Sequence, residues 1–229
     1  MELTILIPCL NEEKSIGICI KKAKKYLEEH NIEGEVLVSD NGSIDKSIEI
    51  SKTLGARVIN TTQKGYGAAL INGINNAKGK YIIMGDADDS YDFSNLGLFI
   101  DKLREGYELV MGNRFWGGIE KGAMPWSHKY IGNPILSLIG RVLYFSKIRD
   151  WHCGLRAFNK DSIKSLNLKS PGMEFASEMV IKSQKSKLKT TEVPTKLYKD
   201  KRGRKPHLRS IPDGLRHLKI LLKLRLFND

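Results

Sequence analysis

Apolar and polar positions alternate along the first half of the chain in two rhythms. Short runs at residues 3–7, 36–39, 57–59, 81–84 and 109–111 have the length of buried strands. Between them, residues 13–29, 46–54, 67–76 and 96–103 repeat apolar positions at helical spacing, as in Ile16, Ile20, Ala23 and Leu27. Strands alternating with helices predict an α/β fold with a mostly parallel sheet and right-handed crossovers. Polar clusters follow three of these strands: Asn11-Glu12-Glu13, Asp40-Asn41, and Asp86 through Asp92. Parallel strands bring such ends to one edge, so the clusters are expected to share a cleft.

The second half is less regular. Residues 117–126 read as a mobile loop and 134–145 as an apolar helix. A further helix, 171–184, carries Glu174 and Glu178 one turn apart. Residues 213–227 place Leu215, Leu218 and Leu222 on one helical side and Arg216, Lys219 and Lys223 on the other. The stretch KDKRGRKPHLR (199–209), broken by proline, reads as a loop.

At 229 residues, 41% of them hydrophobic, the chain suits one domain with an appended segment, divided as 1–194 and 195–229. Three scattered cysteines suggest no disulfide framework and a reducing, cytoplasmic setting. His152-Cys153 lacks a second ligand pair at zinc spacing and is read as packing. No targeting core is visible, and the best apolar stretch, 130–140, ends at Arg141, short of the ~18–20 residues a membrane span needs. The net charge of +12 is local: residues 182–229 carry 15 Lys and Arg against 4 Asp and Glu, and the rest of the chain 23 against 22. A basic tail on a neutral domain points to an anionic substrate or to peripheral binding at the cytoplasmic face of an anionic membrane. With only Tyr198 and Phe227 as aromatics in that tail, nucleic acid is not expected as a partner.

The stretch IIMGDADDSYD (82–92) crowds four carboxylates behind an apolar strand. Close carboxylates repel unless a cation or hydrogen-bond donors compensate. The stretch is therefore either a cation site or the acidic start of a helix. No GxxxxGK[ST] is present, and Gly65-Tyr66-Gly67 lacks a third glycine, so no glycine-rich loop holds a nucleotide's phosphates. A divalent cation on Asp86 and Asp88, both hard oxygen donors, is the natural substitute.

Five motifs in order, PCLNEE, SDNGSID, KGYGAAL, GDADDSYD and GNRF, resemble those of the inverting family-two glycosyltransferases. DWHCGLRAF, GMEFASEM, EVPTKL and PHLRSIPDGLRHLKILL are similar to the dolichyl- or polyprenyl-phosphate branch of that family, and the resemblance covers nearly the whole chain. It implies a GT-A (Rossmann-like) nucleotide-sugar-binding fold with a basic C-terminal helical segment. It also implies a UDP-glucose or GDP-mannose donor and a polyprenyl phosphate acceptor. By the resemblance, Pro8, Leu10, Asn11, Glu12 and Asp40 line the donor's base and ribose, with Asp86 and Ala87 beside its diphosphate. Asp86 and Asp88 hold Mg2+ or Mn2+, with Ser90 at the position of a third ligand and Asp89 as its substitute. Asp88, Arg114 and Arg156 are the expected catalytic residues. Lys129, Asn133 and the basic loop with Lys201, Arg202 and Arg204 are candidates for the acceptor phosphate. Other readings stand beside these. Asp92 reads as a helix cap, Glu174 and Glu178 as a solvated helix face, and Arg156 as the buried partner of Asp150. If the acceptor were instead a soluble or cell-wall glycan, Asp89 or Glu174 would serve as its base.

Overall fold

The computed structural model describes residues 1–203 and 210–226. Its first half alternates as the patterning predicts: β1 (Leu3–Cys9), α1 (Ile16–Glu29), β2 (Gly34–Asp40), α2 (Ser47–Thr53), β3 (Arg57–Asn60), α3 (Tyr66–Asn76), β4 (Tyr81–Met84), α4 (Gly97–Arg104) and β5 (Leu109–Asn113). A short α5 (Arg114–Gly117) and a π-helical turn (His128–Gly132) lead into α6 (Asn133–Tyr144). Then follow β6 (Arg156–Asn159), α7 (Lys160–Ser165), α8 (Phe175–Lys185), β7 (Thr190–Pro194) and α9 (Ser210–Leu226).

Seven strands form one sheet in the order β3-β2-β1-β4-β6-β5-β7. All neighbours pair parallel except β6, which lies antiparallel between β4 and β5. Both faces of the sheet are covered, and the two-residue period of a strand sorts its side chains between two cores. Ile5, Ile7, Val36, Val38 and Ile83 face α1 and α4. Leu6, Leu37, Ile82, Met84 and Phe158 face α3, α8 and α9. Because β1, β2 and β4 are parallel and in register, with Cys9 beside Asp40 and Leu6 beside Met84, their C-terminal ends emerge at one edge.

Two strands carry no alternation that the sequence announces. β6 opens on a buried Arg156, and in β7 only Val193 is buried. α8 is not a solvated face: Glu178 is buried and accepts the amides of Lys169 and Ser170 while pairing with Lys182 at 2.8 Å. Burial alone would push the Glu178 carboxyl up, but Lys182 and those amides hold it below the ordinary range. In α9, His217, Leu221 and Leu224 face the core, and Leu215 and Leu222 are exposed. Among the described residues no helix is long and apolar enough to cross a membrane.

Candidate active site

The loops after β1 and β2 are clasped to each other. Asn11, at φ +56°, donates its amide to the Ser43 hydroxyl (2.9 Å) and accepts the Ile44 amide on its side-chain oxygen (2.8 Å). The amide of the buried Glu12 donates to Ser47 Oγ at 2.7 Å, and its carboxylate accepts from the Ser15 hydroxyl. Asp40, also buried, turns its carboxylate onto the amides of Gly42 (2.8 Å) and Ser43 (3.0 Å), closing its own turn. Pro8 is buried within β1 and Leu10 is half-buried beyond it. The expected donor residues thus form a preset wall of two interlocked loops.

Beyond β4 the carboxylates separate in role. Asp86 is half-buried and accepts from the Tyr66 hydroxyl at 2.9 Å. Ala87 is buried beside it. Asp88 is buried, accepts the Ser90 hydroxyl (2.6 Å) and amide (3.0 Å), and forms an ion pair with Arg202. Ser90, expected as a third ligand, therefore orients Asp88 through its hydroxyl. Asp89, at φ +60°, lies between Lys22 (2.8 Å) and Lys201 (2.7 Å), a structural anchor in place of the substitute ligand or base. Asp92 caps its turn by accepting the Ser94 amide and hydroxyl. Burial would raise the Asp92 carboxyl, but Ser94 and Lys22 outweigh it and hold it below the ordinary range.

No group of three or more His, Cys, Asp or Glu among the described residues could hold a metal. The donor set is nonetheless suited to Mg2+ or Mn2+, which take one or two carboxylates and complete their shell with phosphate oxygens and water. A cation is already drawn to this spot: the Arg202 guanidinium sits on Asp88. Arg202 was expected to meet an acceptor phosphate; here it meets the carboxylate instead.

Arg114 follows β5 and is buried against Asp150, with two hydrogen bonds of 2.7 Å and a third from its own amide at 3.0 Å. Burial opposes the guanidinium's charge, but Asp150 outweighs it and raises the pKa well above the ordinary value. Asp150 thus pairs with Arg114, and the expected pairing with Arg156 does not form. The guanidinium of Arg156 lies in the core and donates to the carbonyls of Cys153 (2.9 Å), Ala176 (2.9 Å) and Trp151 (3.0 Å). Arg156, expected among the catalytic residues, thereby joins the loop before β6 to α8. Lys129 lies over the Tyr130 ring on the π-helical turn, and Asn133, at the start of α6, donates to the Met124 sulfur. Arg204 lies outside the described residues.

Several contributors escaped the sequence reading. Tyr66 and Gly154 both meet Asp86; a Cβ on Gly154 would collide with the carboxylate, so only glycine lets that backbone approach. KGYGAAL and DWHCGLRAF hold these residues, but their contact crosses the fold. His152, Ser177 and His217 form a hydrogen-bonded chain between the loop before β6, α8 and α9. Burial pushes the thiols of Cys9, Cys19 and Cys153 up to about 12, which suits packing residues.

Residues 4–166 match the model of glycosyl transferase family 2. Over 221 residues the chain is 40% identical to a low-salt glycan biosynthesis hexosyltransferase of Haloferax volcanii, covering 96% of this chain and 53% of that protein. It is 26% identical to a dolichyl-phosphate hexose transferase of the same organism, covering 88% of this chain and 85% of the relative. Among solved structures it resembles glucosyl-3-phosphoglycerate synthase of Mycobacterium tuberculosis in complex with Mn2+, UDP and glucosyl-3-phosphoglycerate, with a TM-score of 0.77 at 19% identity over 98% of this chain and 79% of that one. The chain spans about half the length of the Haloferax hexosyltransferase.

Proposed function

The chain belongs to glycosyl transferase family 2 and has the GT-A fold, and from that premise we propose that it transfers a hexose from UDP-glucose or GDP-mannose to a polyprenyl phosphate, with inversion at the anomeric carbon. One observation carries this reading: three polar strand ends meet at one sheet edge, with Asp86 and Asp88 beside the loops of Asn11 and Asp40. The likeness to a dolichyl-phosphate hexose transferase supports the acceptor class.

In this reading Pro8, Leu10, Asn11 and Glu12 line the base and ribose, and Asp40 holds the turn that shapes their wall. Asp86 and Asp88 would hold Mg2+ or Mn2+, with Tyr66 and Ser90 fixing the two carboxylates. When bound, the ion neutralises the donor diphosphate and makes the nucleoside diphosphate a better leaving group. Arg202, paired with Asp88 in this structure, would meet phosphate oxygens of the substrate instead. Arg114, held in place by Asp150, directs a preset donor toward the transferred group. Lys129 and Asn133 approach the acceptor phosphate. That phosphate is already an anionic nucleophile, so positioning and charge neutralisation suffice without a general base. The basic C-terminal segment keeps the enzyme at an anionic membrane surface, where the acceptor's chain is buried.

The test is transfer from each nucleotide sugar to dolichyl and undecaprenyl phosphate, with Mg2+, Mn2+ or EDTA, read by mass spectrometry of the lipid. A lipid-linked hexose formed only with metal is expected; no lipid product from any pair overturns the acceptor, and full turnover in EDTA overturns the ion. One observation favours a second reading, a glycan hydroxyl as acceptor: a carboxylate oxygen of Glu174 is buried with no hydrogen-bond partner among the described residues, the position a general base would offer to a hydroxyl. Glu174→Gln separates the two, since it should abolish transfer to a hydroxyl and spare transfer to a phosphate.

A further inference from the structure

Along α6 and the turn before it runs an apolar stripe that the fold leaves uncovered. Ile131, Ile135, Leu138, Val142 and Phe145 recur at intervals of four and three, one face of a helix, and their exposure ranges from 45% to 84%. The opposite face is fixed inward through Ser137, Gly140 and Tyr144, with Gly140 lying flat on the Trp151 ring. At the N-terminal end of the stripe, Trp126 and Tyr130 stand exposed with their rings 5.7 Å apart. Contiguous exposed apolar surface of this kind marks a site of interaction.

The charges around the stripe select its occupant. Residues 121–149 contain five basic residues, Lys121, Lys129, Arg141, Lys147 and Arg149, and no Asp or Glu. A second copy of the chain would set those cations against themselves, a repulsion that disfavours self-association. An anionic lipid surface complements them. An exposed aliphatic helix face flanked by basic residues before and after it, with Trp and Tyr at its border, suits the boundary between headgroups and acyl chains. The surface is also tied to the catalytic edge: Arg149 lies 5.8 Å from the ring centroid of Trp116, which follows Arg114 in α5.

We propose that α6 and its preceding π-helical turn are a membrane-docking surface, inserting their aliphatic stripe in the plane of an anionic leaflet and holding the catalytic edge against it. The inference rests on the polyprenyl phosphate reading, since only a substrate rooted in a bilayer requires such docking. It goes beyond electrostatic attraction by the tail, because apolar insertion resists salt and charge attraction does not.

The experiment uses flotation with vesicles of phosphatidylcholine and phosphatidylglycerol, at low and high salt, together with quenching of tryptophan fluorescence by brominated lipid. The protein should float at low salt, keep a substantial bound fraction at high salt, and show quenched fluorescence. The triple variant I135D/L138D/V142D should partition at least about tenfold less, as expected when charges enter an inserting face. Its far-ultraviolet circular dichroism and its turnover on a short, soluble prenyl phosphate should be unchanged. Absence of flotation, equal flotation of the triple variant, or a dimer in sedimentation that the variant abolishes would each overturn the proposal. Turnover on the short acceptor distinguishes the two failures: transfer without docking removes this inference alone, and docking without transfer removes the acceptor reading alone.

Discussion

Asp150 is fully buried, and its charge is met there by two side-chain hydrogen bonds and one amide from Arg114. Removing one partner of such a pair leaves the other charged and unsolvated, at a cost of about 3–5 kcal/mol. Asp150→Ala should therefore lower unfolding stability by about that much in urea titrations, and a loss no larger than a surface substitution gives would contradict a structural pair. Asp88 behaves differently, because it lies among three other carboxylates, Asp86, Asp89 and Asp92, whose repulsion its removal relieves. Asp88→Ala should abolish transfer and metal-dependent donor binding in calorimetry while the melting temperature changes little; retained turnover would remove its assignment. At this scale the sequence was partly legible. The carboxylates and the clustering of the polar loops could be read, since both follow from short local motifs. The partner of Asp150 could not: Arg156 is six residues away, but the true partner sits 36 residues back, at the start of α5.

Among the elements, the first five strands and their helices followed from apolar period alone. β6 and β7 did not, because a buried arginine and a run of threonines hide a strand's alternation. α9 was legible as a helix, yet its facing was not: His217, Leu221 and Leu224 are the buried side. Burial, then Arg156, lowers the His217 pKa to about 4, against the pull of Asp213. The folded state therefore holds His217 neutral where the unfolded chain takes up a proton. Its contribution is complete above about pH 6.5 and is lost as pH falls toward 4, on the order of 3 kcal/mol if the shift is fully expressed. Urea midpoints should fall across that window, and His217→Gln should reduce the dependence, leaving the part due to His152, which burial also holds well below its ordinary value; an unaltered slope would show that His217 does not report it. Since α9 helps fill the core, deleting it is a poor test of membrane attraction. Exchanging the exposed Lys219 and Lys223 for Gln is cleaner. Each basic residue near an anionic leaflet is worth about 1 kcal/mol, so the double variant should bind vesicles several-fold more weakly at low salt and like the parent at high salt.

Across the whole molecule, charge is the property that sequence and structure treat differently. The excess of basic residues after position 182 could be counted, and it suggested an outward-facing tail. The structure folds part of that excess back: Lys201 and Arg202 reach Asp89 and Asp88, and the Lys201 amide donates to the Asp88 carbonyl at 2.8 Å. Counting charges along a chain gives no sign of such a return, since it is set by how β7 runs beside β5 toward the acidic edge. The return also has a consequence in time. A ribosome delivers Asp88 and Asp89 more than a hundred residues before Lys201 and Arg202. Domains begin to organise from the N-terminus during synthesis. Over that interval, then, the acidic loop has Lys22 alone of its three cationic partners. In the nascent chain Asp88 and Asp89 meet ions from the surrounding solution before the chain's own Lys201 and Arg202 arrive to compete.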